Sequence, residues 1–96
     1  MRCGVNETSR FRPDGEVTFQ KLGEETLIVH LGTGRIHHTN TTGSRIWELI
    51  KSGRSLGEIR ETLFEEFDAS PVELQEELET FVAQLSAEQM IHAFAE

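Results

Sequence analysis

Four histidines, one cysteine and seventeen Asp and Glu residues are the side chains here with chemistry to offer. His37 and His38 are adjacent in the stretch Arg35 to Thr39, which reads as an extended chain. Neighbouring side chains on a strand point to opposite faces, so the pair is badly placed to share one metal ion. His30 is close enough in sequence to face one of them across a hairpin, whereas His92 is remote. No His-Glu-x-x-His pair or facial triad is visible, so surface or partly buried strand histidines are the economical reading and no metal is expected. Cys3 has no partner for an internal disulfide, cannot build a thiolate-rich zinc site, and has no base near it in sequence. Ser55 and Ser70 stand where helix caps belong, which already occupies their hydroxyls. Gly32-Thr33-Gly34 lacks the third glycine and the following helix of a dinucleotide fingerprint. Glu73, Glu76, Glu77 and Glu79 could in principle supply an acid–base pair, but their spacing puts most of them on the polar side of an amphipathic helix. A chain of 96 residues also has little room for a deep pocket. The chain is expected not to be an enzyme and to need no cofactor.

The elements that must position these residues follow from pattern. Residues 1–12 show no periodicity and read as a flexible N-terminal tail, leaving 13–96 as one domain. After the turn at Pro13-Asp14-Gly15, Glu16–Leu22 alternates, with Val17, Phe19 and Lys21 on one face. Thr26–Leu31 is a second strand, apolar enough to be buried on much of both faces, and Arg35–Thr39 is a short third one. Turn-length connections make an antiparallel meander the simplest arrangement. Beyond Asn40, a plausible N-cap, the period becomes helical. Ile46, Trp47, Leu49 and Ile50 form one stripe, and Gly53 stands in the C-cap position. Ser55 and Glu58 open a second helix as a capping box, carrying Leu56, Ile59, Leu63 and Phe67. Ser70 and Glu73 form another box ahead of the third helix, Pro71 to about Ser86, whose stripe is Leu74, Leu78, Phe81 and Leu85. Met90–Phe94 is short and apolar and either packs on the body or adds a short strand. The expected fold is α+β: a three-stranded antiparallel β-meander followed by a three-helix, winged helix-turn-helix-like bundle.

Charge narrows the partners. Residues 1–60 hold all nine Lys and Arg against seven acids, whereas residues 61–96 hold ten acids and no Lys or Arg, for a net charge of −8. Such a C-terminal third repels phosphate backbones and anionic membranes and attracts basic partners. The plain alternative is a solvated acidic face that keeps the protein soluble. No apolar stretch is long enough to span a bilayer, and Met1–Arg12 lacks the apolar core of a secretory signal. With its one cysteine, the chain is expected in the cytoplasm.

Two binding functions fit this order of elements. A winged helix would place its third helix in a DNA groove, but that helix carries no cation for the phosphates. A peptide could instead add as a fourth strand beside the third one, with the third helix as the opposite wall. A merely short, charge-protected edge is the plain alternative.

The run Asn40-Thr41-Thr42-Gly43-Ser44-Arg45-Ile46-Trp47-Glu48-Leu49-Ile50, followed by Gly53, Ser55, Glu58-Ile59, Leu63, Phe67, Val72, Leu78, Phe81 and Leu85, resembles the PqqD family. The resemblance covers roughly residues 16–91 and lies in the joint order of these residues, since each alone is a common core or capping choice. It implies a RiPP recognition element, a peptide chaperone that binds the leader of a ribosomally made precursor peptide and presents it to a modifying enzyme, often a radical SAM protein. It implies that the leader lies between the third strand and the third helix. Carried onto this chain, the strand wall is Arg35, Ile36, His37 and His38, and the helix wall Leu74, Gln75, Leu78 and Val82. Gln75 and Val82 flank the core stripe and are the favoured contacts, so Val82→Asp is expected to weaken binding and spare the fold. Leu74, Phe81 and Leu85 read mainly as core. Ser52 replaces an acidic residue usual before the glycine, Thr39 a common leucine, and Gln89 a common glycine. These departures weigh against pyrroloquinoline quinone itself as the product and leave the broader class. The expected partners are a leader peptide and its modifying enzyme, with no nucleic acid and no membrane, for a monomer or weak homodimer.

Overall fold

A computed structural model of the protein describes residues 9–94, so Cys3 and the first eight residues lie outside it. The described chain is α+β, with three helices and two antiparallel sheets. The strands are β1 (Arg10–Pro13), β2 (Val17–Leu22), β3 (Glu25–His30) and β4 (Ile36–His38), followed by α1 (Thr41–Lys51), α2 (Leu56–Glu66), α3 (Pro71–Ala87) and β5 (Ile91–Phe94).

The expected meander is β2-β3-β4. Two tight turns build it, with Gly23 (φ 67°) between β2 and β3 and Gly34 (φ 78°) ahead of β4, both in the left-handed region that glycine enters without penalty. β3 buries Thr26, Ile28 and His30 on one face, while the alternate residues stay half-buried. The strand is therefore one-sided rather than buried on both faces.

The helix ends follow the sequence signals closely. Asn40 Oδ1 accepts from the Gly43 N–H at 2.7 Å and starts α1. Gly53 (φ 83°) ends it, with its own N–H donating to Ile50 O and the Arg54 N–H donating to Leu49 O. α2 has both halves of its capping box. α3 has Pro71 in its first turn and the Ser70 cap, whose hydroxyl accepts from the Glu73 N–H at 3.1 Å. The three helices and β3 close over one core containing Ile28, Ile46, Trp47, Ile50, Ile59, Leu63 and Leu78.

A second sheet departs from the expected plan. Arg10–Arg12, assigned by pattern to the loose tail, are strand residues of β1, which pairs antiparallel with β5. Four residues are too few to show periodicity, and the partner strand is about eighty residues away, which no local signal can reveal. Leu56 N–H donates to Ser9 O, and the Arg10 guanidinium donates to Gly53 O at 2.7 Å, which ties this strand to the α1–α2 connection. The chain is therefore joined to the rest of the fold from Arg10 onward.

Asp14 joins the two sheets. Its carboxylate lies 3.3 Å from His30 Nε2 on β3 and 2.6 Å from His92 Nε2 on β5. His30 Nδ1 accepts from the Gly32 and Thr33 N–H groups, which leaves Nε2 to carry the proton toward Asp14. Among the described residues, no group of three or more His, Cys, Asp or Glu is arranged to hold a metal ion. Among the described residues, no helix is long and apolar enough to cross a membrane.

Candidate functional site

β4 is an edge strand, paired with β3 on one side only. The ladder aligns Val29 with Ile36, Ile28 with His37 and Leu27 with His38. Beyond its ends, His30 N–H donates to Arg35 O and Thr39 N–H to Thr26 O. Hydrogen-bonded pairs alternate along an antiparallel ladder, so Arg35, His37 and Thr39 aim their main-chain groups at β3. Ile36 and His38 aim theirs outward, which leaves an N–H and C=O at each position for another strand.

The inner end of β4 is anchored by buried hydroxyls. Thr39 Oγ1 accepts from the Thr26 N–H at 3.0 Å, and Thr26 Oγ1 lies 2.6 Å from Ser44 Oγ at the start of α1. Thr39 therefore satisfies a buried backbone donor.

A cleft of about 680 Å³ opens between β4 and α3. His37, His38, Thr39 and Asn40 form the strand wall, and Gly43 and Ile46 of α1 form part of the floor. Leu74, Phe81, Glu73, Glu77, Thr80 and Gln84 stand on the α3 side, with Glu76 further out. The His37 ring meets Phe81 edge-on, with centroids 5.7 Å apart, and closes the bottom of the cleft. Behind it, His37 Nδ1 lies 3.8 Å from Glu88 Oε1, a buried oxygen with no hydrogen-bond partner. His38 turns the other way and meets Glu25 at 2.9 Å on the surface. Gly43 suits this packing, because a Cβ there would lie 3.1 Å from the Phe81 ring and 3.2 Å from Asn40 Oδ1, so those neighbours would have to give by a few tenths of an ångström.

The structure brings together only part of the predicted site. His37, His38 and Leu74 line the cleft. Ile36 is exposed on the edge strand, and Arg35 is exposed just before it. Gln75, Leu78 and Val82 do not line it. Leu78 and Val82 are 1% and 3% exposed in the core, and Gln75 donates to Glu79 at 2.7 Å. The α3 side of this cleft is thus formed by the opposite flank of the same stripe. Phe81, read as plain core, serves both the core and the cleft. Gly43 was the available signal for this, since a buried glycine inside a helix costs about 1 kcal/mol and indicates a close approach.

The ionisable groups with displaced pKa values lie outside the cleft. Lys21 and then Arg45 hold the Glu48 carboxyl below its ordinary range, and the Ser55 N–H does the same for Glu58. Among the described residues, the cleft itself has no Lys or Arg along its walls. It offers an open main-chain edge, an apolar bottom and a row of carboxylates, an arrangement suited to binding an extended chain.

The family model described as Coenzyme PQQ synthesis protein D (PqqD) matches residues 25–91. No curated protein gives a match. Two solved structures are similar in fold. TbiB1 in complex with the TbiA(beta) leader peptide has a TM-score of 0.78 and 24% identity over 88% of this chain and 99% of that one. Lasso peptide synthetase B1 complexed with the leader peptide has a TM-score of 0.76 and 17% identity over 86% of this chain and 98% of that one.

Proposed function

We infer the function from one premise, that this chain belongs to the PqqD family. It is a recognition element for a ribosomally made precursor peptide, binding the leader and presenting the rest to a modifying enzyme of the radical SAM or another peptide-modifying class. The observation that carries this reading is the cleft between the open edge of β4 and α3. The likeness in fold to two proteins solved with leader peptides supports it.

The mechanism is equilibrium binding. The leader adds as a strand beside β4, pairing its main chain with the outward groups of Ile36 and His38. Alternate side chains then face α3, where Leu74 and Phe81 receive an apolar one beside His37. Arg35 contacts the leader where it leaves the strand. The helical half works as a winged helix-turn-helix-like bundle turned to peptide rather than nucleic acid, since α3 carries no cation for a phosphate. The protein acts in the cytoplasm, as a monomer or weak homodimer.

The test is a fluorescence-anisotropy titration with labelled leader, taken from a short reading frame beside a peptide-modifying enzyme gene, in the absence of that enzyme. Saturable binding with amide shifts at Ile36–Thr39 and along the Glu73–Phe81 flank is expected. Tight binding to random duplex DNA at physiological salt, with none to leader, would overturn the reading.

A further inference from the structure

Resting on the peptide-binding reading above, we infer that the segment seated in the cleft is basic, with an apolar anchor and a Lys or Arg two positions away on the same face. The bottom of the cleft, at Leu74, Phe81, Ile46 and Gly43, is apolar or featureless and takes an uncharged side chain. Its α3 rim is different. Glu73, Glu76 and Glu77 are exposed and form no ion pair among the described residues.

Several carboxylates away from the cleft have partners, whereas others, such as Glu61 and Glu65 on α2, form no ion pair among the described residues either. Glu48 is held by Lys21 and Arg45, Glu66 by Arg45, Glu58 by Arg10, Glu25 by His38, and Asp14 by two histidines. The fold thus engages these cations away from the cleft, and α3 has none of its own.

A solvated helix face is the plain alternative, and it accounts for part of the row. Glu73 lies in the first turn, where the helix dipole favours a negative charge. Glu76 and Glu77 lie beyond that turn, and each is three or four residues from Glu73, so like charges repel by about 0.2–0.5 kcal/mol per pair. Glu61 and Glu65 on α2 stand at the same four-residue spacing, so what distinguishes the α3 row is its place on the rim of the cleft. A cationic ligand relieves the repulsion on binding.

Geometry sets the spacing. Side chains two apart on a strand are about 6.6 Å apart. Glu73 and Glu77 are one helical turn apart, a rise of about 6 Å. On a ligand strand running along α3 with its anchor over Phe81, the next inward side chain is therefore displaced by about the distance that separates Phe81 from Glu77 along the helix.

The experiment pans a surface-displayed library of random 15-residue peptides against the intact protein, with a Glu73→Lys/Glu77→Lys variant sorted in parallel. Wild-type protein should enrich peptides with an apolar residue and a Lys or Arg two positions away. A synthetic peptide of that kind should lose about tenfold in affinity against the double variant. It should also weaken as NaCl is raised from about 50 to 500 mM. Its Lys→Glu counterpart should show the reverse preference. If circular dichroism shows the double variant unfolded, Glu73→Gln/Glu77→Gln replaces it with the same loss expected in smaller degree. Enriched peptides that are neutral or acidic would overturn this inference and leave the cleft reading standing. No enrichment at all would overturn both.

Discussion

Val82 and Phe81 are neighbours on α3 with different duties. Val82 is closed into the core, whereas Phe81 also lines the cleft against His37. A carboxylate at position 82 would be buried without a partner. Val82→Asp should therefore destabilise the protein by at least about 3 kcal/mol, rather than spare the fold. Chemical denaturation will show it, and an unchanged midpoint would refute the placement of this side chain. Gln89 carries strain of another kind. It holds φ at 63° after α3, with its N–H donating to Ser86 O and the Met90 N–H donating to Leu85 O. This is the left-handed cap that glycine usually fills. Gln89→Gly should stabilise the protein by about 0.5–1 kcal/mol, read from the same denaturation curve. The position was legible as an unusual residue where a glycine is common, but its backbone angle was not.

Between elements, the main chain of β4 has two kinds of residue. Ile36 directs its N–H outward, and His37 directs its own at β3. Proline removes a donor at either place but breaks the meander only at the second. Ile36→Pro should cost about 1 kcal/mol or less in stability while reducing leader affinity about tenfold, since one pairing group is lost and the ring blocks approach. His37→Pro should unfold the β3–β4 pair. Comparing melting temperature with affinity for both variants checks the strand-addition mechanism, and equal affinity of Ile36→Pro and wild type would end it. The meander and all three helices were readable because turns, caps and periodicity are local. The β1–β5 pair was not, because two four-residue strands at opposite ends of the domain identify each other only by meeting.

At the scale of the molecule, Asp14 links the two sheets through His30 and His92. Its carboxyl is held below the ordinary range, chiefly by the Glu16 N–H and then by His92. A depressed folded pKa contributes stability that is present above the unfolded value and lost as pH falls through the folded one. The stability gap between wild type and Asp14→Asn should therefore be widest above about pH 5 and shrink below about pH 4. Thermal melts across that range will test this, and a gap independent of pH would remove the charge from the account. The charge split of the chain was plain from the amino-acid sequence alone, as were the order of the elements and the amphipathic stripe of α3. Those rest on composition and on contacts between near neighbours. At about 100° per residue, Gln75 and Val82 lie about 80–100° to one side of the Leu74–Leu78–Phe81–Leu85 stripe, and Glu73, Glu77, Thr80 and Gln84 lie about 60–120° to the other. Periodicity locates the stripe but treats its flanks alike. Which flank meets β4 depends on the direction in which α3 crosses α1 and the sheet, and packing alone settles that. The tertiary structure therefore decided that the acidic flank, and not Gln75 and Val82, faces the open strand.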